Sequence, residues 1–320
     1  MYKKRSSIER LRASERARSR ARWHAVRDDV VMHFAYGQGS RALLEGRVID
    51  FDIEHVATAG DRSLTNLRRT LKLLINDERI HRSVRAWMTS HEWETTTDGE
   101  GFFRFELENL AALAPGWHRI HAASGDASDE IGLLLTPPEN VHGVISDVDD
   151  TLLISEVTRK RQLLANTLLR NPLQRLVVPG IAKLYHALLG RNPQPQCAPM
   201  FYLSATPRQL HLPLQAALDH NGLPKGVLIT KRITTDRTSE SLNQYKYKFA
   251  EIAEILAYVP HARFTLIGDD GEHDPAVFEA IREHYPERID SIWIRHVRPQ
   301  DKRHKVAHQG DLAELLEQHL

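Results

Sequence analysis

Two aspartates two residues apart, Asp147 and Asp149, are the side chains of this sequence that are best placed to do chemistry. They directly follow the short run 144–146, which we interpret as the end of a buried strand. Because side chains two apart on a strand point to the same side, both carboxylates would face one cavity. Two such carboxylates repel each other and are costly to remove from water without a cation. The pair therefore predicts a bound divalent metal ion and chemistry on an anionic substrate.

A hydroxyl group, that of Ser204, follows a second predicted strand. The stretch Ser204-Ala205-Thr206-Pro207 leads directly into a predicted helix. A hydroxyl together with the free amides of a helix N-terminus forms an anion site. A serine in such a place is often only a helix cap, but its position at a strand end favours a phosphate-binding role.

Acidic and basic residues further along the chain complete the set. Asp269 follows a later predicted strand, and the carboxylates of Asp147 and Asp269 offer the oxygen ligands that Mg²⁺ prefers. On the helix before that strand, Lys248 is suited to neutralising a phosphate oxygen and a nucleophilic carboxylate, with Lys246 as its competitor. A Ca²⁺ loop is disfavoured because Leu152 stands where such a loop requires glycine.

The elements that must position these residues alternate between strand and helix from residue 141 onward. Predicted strands are 144–146, 200–203, 227–230, 264–267 and 289–294; predicted helices begin at 179 and span 207–221, 245–258, 275–284 and 312–320. This alternation is typical of an α/β, doubly wound, mainly parallel sheet. The active site of such a sheet lies beyond the carboxyl ends of its strands.

Residues 28–138 are predicted to be mostly strand and to form a β-sandwich-like domain. The predicted strands are 30–36, 46–51, 84–89, 92–97, 102–107, 117–123 and 131–135, with 92–97 and 102–107 forming a hairpin around the turn 98–101. One helix, 64–74, interrupts them, with Ser63 as its cap. Pro137-Pro138 marks a boundary. We therefore expect a basic segment 1–27, a β domain 28–138 and a catalytic domain 139–320.

The bulk composition is that of an ordinary globular protein of 320 residues, 27% charged and 41% hydrophobic. The net charge of +1 gives no general attraction to nucleic acid, so no nucleic-acid partner is expected. The single cysteine, Cys197, excludes internal disulfides and fits a reducing compartment. Because no apolar run is long enough to span a bilayer, we expect a cytoplasmic protein.

Charge is uneven at the amino end, where residues 1–22 contain nine Lys/Arg and two Glu. Three interpretations stay open. The segment is a solvated, frayed tail, a basic helix on an anionic membrane surface, or an organelle-targeting segment, against which Glu9 and Glu15 count.

Several stretches occur together in an order that resembles a known group of enzymes. They are 143–151, 171–172, 178–180, 204–207, 222–226, 247–248 and 267–275, with 36–39 and 46–48 in the front half. Residues 141–300 resemble the haloacid-dehalogenase superfamily of phosphotransferases. More narrowly, the chain is similar to the actin-patch-associated phosphatidate phosphatases and their bacterial members. Thr206, Tyr247 and Asp270 depart from that pattern, which has Ser, His and Ser there.

The resemblance implies a mechanism and a set of ligands. Asp147 would attack phosphorus and form an aspartyl-phosphate, while Asp149 would act as general acid and then as general base. Mg²⁺ would be held by Asp147, the backbone carbonyl of Asp149, and Asp269. Ser204 and Lys248 would bind the phosphate.

Three further residues are expected to support this site. Asp274 supports the metal or only caps the helix that starts at Pro275. Asp270 forms the loop or supports the metal site, and Thr151 orients the loop. In this superfamily the insert between Thr151 and Val178 covers the site. Its apolar and basic residues suit an amphiphilic phosphate at a membrane, or an ordinary packed helix.

Three functions stay open. The first is a Mg²⁺-dependent phosphatidate phosphatase that makes diacylglycerol and phosphate, in peripheral contact with an anionic membrane surface. The second is a phosphomonoesterase for a soluble sugar or nucleotide phosphate, whose β domain docks a protein partner that the sequence does not identify. The third is a noncatalytic lipid- or protein-binding scaffold, against which the intact Asp147, Asp149, Lys248 and Asp269 argue.

Overall fold

The computed structural model describes residues 28–50, 79–89, 91–139, 141–149, 151–152, 177–232, 244–297 and 309–319. The basic segment 1–27, the predicted helix 64–74 and nearly all of the insert between Thr151 and Val178 lie outside the described residues. No helix in the described part of the chain is both long enough and apolar enough to cross a membrane.

The described residues of the amino-terminal half form seven strands of one mixed sheet. They are β1 (Asp28–Gln38), β2 (Arg41–Asp50), β3 (Ser83–Met88), β4 (His91–Thr96), β5 (Phe102–Leu107), β6 (Gly116–Ser124) and β7 (Ala127–Thr136). Their order is β4-β3-β6-β7-β1-β2-β5. Only the β1–β7 pair is parallel among the described pairings of this sheet. Where the sequence analysis expects a sandwich, hydrogen bonds join all seven strands into one sheet.

The hairpin predicted between β4 and β5 forms only at its turn. Asp98 donates its backbone N–H to the carbonyl of Phe102 at 2.8 Å, and Gly101 takes the positive φ of 77° that this turn requires. Beyond the turn, β4 pairs with β3 and β5 pairs with β2. The hairpin prediction is therefore wrong, because both strands have longer ladders available elsewhere. The two strands end at opposite edges of a sheet that curls until those edges touch.

A bulge in β1 turns this sheet toward the rest of the molecule. Met32 pairs with Gly46 and Phe34 pairs with Glu45, so His33 is the extra residue. Because one extra residue reverses the alternation of side chains, Met32 packs inside the seven-stranded sheet whereas Phe34 joins the core of the second sheet.

In the described part of the carboxyl-terminal half, six strands form a parallel sheet. They are β8 (Val141–Asp147), β9 (Met200–Pro207), β10 (Val227–Lys231), β11 (Ala262–Asp269), β12 (Ile289–Arg295) and β13 (Gln309–Asp311), in the order β10-β9-β8-β11-β12-β13. The helices are α1 (Ile181–Leu189), α2 (His211–His220), α3 (Gln244–Tyr258), α4 (Asp274–His284) and α5 (Leu312–Glu317). β13, with only three residues, has no counterpart among the strands predicted from the sequence.

Both faces of the parallel sheet are covered, as its apolar strands require. Buried residues of α3 and α4 pack on one face, and those of α1, α2 and α5 pack on the other. Residues of β1, β2 and β7 share the face of α3 and α4, where Tyr36 lies edge-on to Phe201 with ring centroids 4.9 Å apart. The two sheets therefore share one hydrophobic core.

A buried ion pair crosses this contact. The guanidinium of Arg208, just after β9, binds the carboxylate of Glu45 on β2, and its Nε donates to the carbonyl oxygen of Thr230 at 2.7 Å. Its carbon Cζ lies 5.1 Å from the ring centre of Phe34. Through this ion pair, the β domain fixes the position of Arg208, which is only four positions after Ser204.

We predict that Glu45→Gln destabilises the protein by about 3 kcal/mol, because it leaves a buried guanidinium without its carboxylate. Urea denaturation would measure the loss. The matched control is Glu106→Gln, which removes an exposed partner 3.7 Å from Arg41 and should change the free energy of unfolding by under about 0.5 kcal/mol. Equal effects of the two substitutions would contradict the structural importance of the buried pair.

Candidate active site

The carboxyl ends of neighbouring strands bring the predicted site residues together. In the parallel register, Ser146 of β8 lies opposite Ile267 of β11, so Asp147 and Asp269 end the two strands at the same edge. On the other side, Asp147 lies opposite Leu203 of β9, directly before Ser204. Residues more than a hundred positions apart in the chain thus meet because parallel strands end together.

Three carboxylates, those of Asp147, Asp269 and Asp274, form a buried cluster. Each offers an oxygen atom within 4.8 Å of the others. Thr151 connects two of them, since its hydroxyl lies 3.2 Å from Asp147 Oδ2 and 3.0 Å from Asp269 Oδ2. The backbone N–H groups of Asp269 and Gly271 donate to Asp274 Oδ2 and Asp269 Oδ1 at 3.3 and 2.6 Å. The cluster is thereby held rigidly by its own loops.

One lysine, Lys248 of α3, enters this cluster with 2% of its surface exposed. Its Nζ lies 2.6 Å from Asp147 Oδ1 and also pairs with Asp274. Burial by itself would lower the pKa of Lys248, but the charges of Asp147 and Asp274 raise that pKa well above its ordinary value. The ammonium is therefore permanently charged. Lys246, the competitor, is exposed on the same helix.

Among the described residues, three carboxylates of this cluster surround one ammonium, and their protonation reflects this. Burial, together with neighbouring carboxylates, raises the pKa of Asp147 well above its ordinary value, against the pull of Lys248. Burial and the charge of Asp274 raise the pKa of Asp269 to about 7. Carboxylate oxygens whose negative charge is not fully balanced by nearby cations are the ligands that a hard divalent cation prefers. The residues present therefore fit a bound metal ion.

A second polar pair lies beside the cluster. Ser204 donates its hydroxyl to Asp149 Oδ2 at 2.6 Å and accepts the backbone N–H of Thr206 at 3.0 Å. Tyr247, next to Lys248, donates its hydroxyl to the backbone carbonyl of Ser204 at 3.2 Å. Asp149 is half-buried, unlike Asp147. The more accessible carboxyl is thus the one that faces the hydroxyl.

The structure separates the two predicted supporting aspartates. Asp274 is the first residue of α4 and turns into the carboxylate cluster, while His273 holds the cap position. Asp270 points away: its carboxylate meets His296 Nδ1 at 2.9 Å and accepts the backbone N–H of Val297 at 2.7 Å. Asp270 therefore ties the loop after β11 to the end of β12.

Gly268 is required by the closeness of the packing around the cluster. A Cβ atom at this position would lie 2.5 Å from Asp274 Oδ2 and 2.6 Å from Phe278 Cε2. The glycine in the predicted Gly268-Asp269 motif therefore lets the first turn of α4 approach the strand end.

Two further residues of this region are not among the site residues predicted from the sequence. Arg208 anchors the loop after Ser204 to the β domain. Lys231 ends β10 at the same edge as Asp147 and Ser204. Its position, immediately after the predicted strand 227–230, is the signal that would have marked it.

The fold and this geometry define an α/β domain with a buried acidic site at the carboxyl edge of a parallel sheet. Residues 142–296 match the family described as "Phosphatidate phosphatase APP1, catalytic domain". This match confirms the predicted resemblance of this part of the chain to the APP1-like phosphatidate phosphatases.

Two curated yeast proteins are similar to the chain. "Phosphatidate phosphatase APP1" of Saccharomyces cerevisiae is 29% identical over 154 residues, which are 48% of this chain and 25% of that protein. An uncharacterized protein of Schizosaccharomyces pombe is 23% identical over 259 residues, which are 74% of this chain and 40% of that protein. The chain thus spans well under half the length of these relatives.

The similarity of the chain to solved structures is weak. A carbohydrate acetylesterase from Xanthomonas citri has 8% identity and a TM-score of 0.31, covering 92% of this chain and 74% of its own. Amylomaltase from Corynebacterium glutamicum has 13% identity and a TM-score of 0.16, covering 62% and 23%. Likeness at this level does not define a shared fold.

We predict that, without divalent metal, the protein loses stability as the pH rises from about 4 to about 7. The folded chain holds a proton on Asp269, whose pKa is about 7, whereas the unfolded chain releases it near its ordinary value of 3.8. Metal binding replaces the proton, so Mg²⁺ should restore stability at pH 8 but add little at pH 5. Thermal unfolding with and without Mg²⁺ would measure both effects.

Asp269→Asn tests the assignment of this pH dependence, because it should remove the Mg²⁺ effect. Glu251→Gln is the matched control: burial raises the pKa of Glu251 to about 7 as well, but outside the cluster. That substitution should flatten the pH profile and leave the Mg²⁺ effect in place. Retention of the Mg²⁺ effect in Asp269→Asn would contradict a metal site here.

We predict that Gly268→Ala weakens Mg²⁺ binding about tenfold or more, because the new methyl group displaces Asp274 from the cluster. Calorimetric titration would give the affinity. Gly99→Ala is the control, since a Cβ atom there meets nothing within 4 Å. An unchanged affinity in Gly268→Ala would show that the position of Asp274 does not matter to the metal.

Proposed function

We propose that this chain is a Mg²⁺-dependent phosphatidate phosphatase that converts phosphatidate to diacylglycerol and phosphate. The observation that carries the proposal is that the family match over 142–296 contains every member of the buried cluster: Asp147, Thr151, Lys248, Asp269 and Asp274. The relatives are longer than this chain, so the proposal rests on the matched catalytic domain alone.

Asp147 is the nucleophile in this proposal. One carboxylate oxygen bonds to phosphorus as the bond between phosphorus and the diacylglycerol oxygen breaks, which gives an aspartyl-phosphate. Lys248, 2.6 Å from Asp147 Oδ1, and Thr151 hold the carboxylate in one orientation. Because the attacking oxygen is already oriented, the entropic part of the activation free energy is smaller.

Asp149 moves the proton. As a carboxylic acid it donates its proton to the leaving diacylglycerol oxygen, and as a carboxylate it then takes a proton from the water that attacks phosphorus. The bond to Asp147 breaks, phosphate leaves and both side chains return to their starting states. The Ser204 hydroxyl, which donates to Asp149 at 2.6 Å, and the Thr206 amide, which donates to Ser204 Oγ, each exchange these acceptors for phosphate oxygens when the substrate binds.

Mg²⁺ is the metal that we assign to the cluster, held by Asp147, the carbonyl oxygen of Asp149, and Asp269. When bound, it neutralises phosphate charge and orients the phosphoryl group. Asp274 lies within reach of the same ion and at the same time fixes Lys248. The residues of the chain thus hold both the cation and the group that attacks.

The proposal includes a haloacid-dehalogenase-like fold and peripheral contact with a membrane. Six parallel strands, helices on both faces and acidic residues at the carboxyl ends support the fold. The nine Lys/Arg in residues 1–22 support attraction to an anionic bilayer, where phosphatidate resides.

We predict that Asp147→Asn abolishes phosphate release from phosphatidate in mixed micelles, by a factor on the order of 10⁴ or more. The loss follows because an amide oxygen does not form the covalent intermediate. Released phosphate would be measured with and without Mg²⁺ and beside a panel of soluble phosphomonoesters. Asp219→Asn, an exposed aspartate of α2, is the matched control and should retain the wild-type rate.

Each outcome has a definite meaning. Mg²⁺-dependent turnover that favours phosphatidate and is lost in Asp147→Asn supports both mechanism and substrate. Turnover of soluble esters alone keeps the mechanism and overturns the lipid substrate. No turnover of any phosphomonoester by the wild type would overturn the enzymatic proposal and leave the scaffold interpretation.

A further inference from the structure

Lys231 lies at the active-site edge of the sheet without belonging to the carboxylate cluster. It is the last residue of β10, and in the β10–β9 register Thr230 lies opposite Ser204 while Lys231 lies opposite Pro207. The backbone of Lys231 therefore lies beside the loop that carries Ser204 and Thr206, the proposed donors to phosphate.

The side chain of Lys231 points along this edge and not into solvent. Only 7% of its surface is exposed, and its Nζ lies 5.5 Å from the ring centre of Tyr247, whose hydroxyl donates to Ser204. Burial lowers the pKa of Lys231, and the charge of Glu272 opposes this effect. Glu272 belongs to the loop after β11, which is separated from β10 by β9 and β8. The ammonium thus lies where β8 and β9 end.

The two lysines at this edge differ in their partners. Lys248 is committed to Asp147 and Asp274. Among the described residues, Lys231 meets the Tyr247 ring and the charge of Glu272 acts on it, but it forms no hydrogen bond or ion pair with a carboxylate. The next residue, Arg232, is already paired with Asp98 of the β domain. A desolvated ammonium that is not directly paired with an anion is unfavourable, so an anion that binds beside it would stabilise it.

We propose that Lys231 is a substrate-binding residue that pairs with a non-transferred oxygen of the phosphomonoester dianion. This inference rests on the proposed function and adds a residue to it. Because the phosphate keeps its charge in both the bound substrate and the product, the lysine contributes mainly to binding and less to the chemical step. The cation–π contact with the ring of Tyr247 holds the ammonium at this edge, where the phosphate would bind.

The test compares Lys231→Met with Lys225→Met in the full chain with Mg²⁺. Lys225 is the matched control because it precedes the same strand at its amino end, where it is exposed and lies 4.1 Å from the Trp117 ring centre. The Michaelis constants for phosphatidate in mixed micelles and for a soluble phosphomonoester would be measured, together with direct binding of inorganic phosphate by calorimetry.

We expect Lys231→Met to raise both Michaelis constants and the dissociation constant of inorganic phosphate by about 10- to 100-fold, with a smaller change in kcat. Lys225→Met should change none of them. Lys231→Arg keeps the charge and should recover most of the affinity. A residue with a merely steric role would respond to Met and Arg alike, and thermal unfolding of all three variants reports whether each is folded.

Several results would overturn the inference. Phosphate binding by Lys231→Met equal to that of Lys225→Met would show that the ammonium does not meet the phosphate. A rise in the Michaelis constant for the lipid alone would place Lys231 on another part of the lipid. A wild type that neither binds phosphate nor turns over any phosphomonoester would overturn the proposed function itself, which these first two results leave standing.

Discussion

At the carboxyl edge of the parallel sheet, three buried carboxylates share one buried ammonium within the part of the chain that the structure describes, and the rest of the site depends on this imbalance of charge. Lys248 balances part of this negative charge through its ion pairs with Asp147 and Asp274, so moving the lysine would leave buried charges unpaired. The strand register, the close approach of α4 at Gly268 and the hydroxyl of Thr151 all hold the carboxylates where they repel each other. Such a cluster is stable only when a proton or a cation balances its charge, so the stability of the fold is coupled to protonation or to a bound cation.

The β domain is part of the same construction. The bulge at His33 turns Phe34 and Tyr36 outward into the core of the parallel sheet, and Glu45 reaches the guanidinium of Arg208. Arg208 follows the Ser204 loop, so the loop that faces the proposed phosphate position is fixed by a residue of the other sheet. This contact gives the amino-terminal half a physical role in the site, although the family match begins only at residue 142.

Much of the parallel sheet could be predicted because its strands are continuous apolar runs separated by helix-forming stretches. The predicted strand ends at Asp147, Ser204 and Asp269 lie at one edge of the sheet, since parallel strands necessarily end together. Prediction was poorer for the amino-terminal sheet, where 92–97 and 102–107 form a turn but pair with other strands. A local turn signal identifies which residues reverse the chain, but the ladder is chosen by distant strands that compete for the same edge.

Local periodicity and motifs are sufficient to identify the reactive side chains, their order and the strand ends that carry them. Which of the equivalent candidates enters the site depends on how the elements pack together. This packing buries Lys248 and leaves Lys246 exposed, turns Asp274 into the cluster and points Asp270 away, and places Lys231 at the shared edge. These choices depend on helix rotation and on contacts between elements far apart in the chain, which no local pattern of residues records.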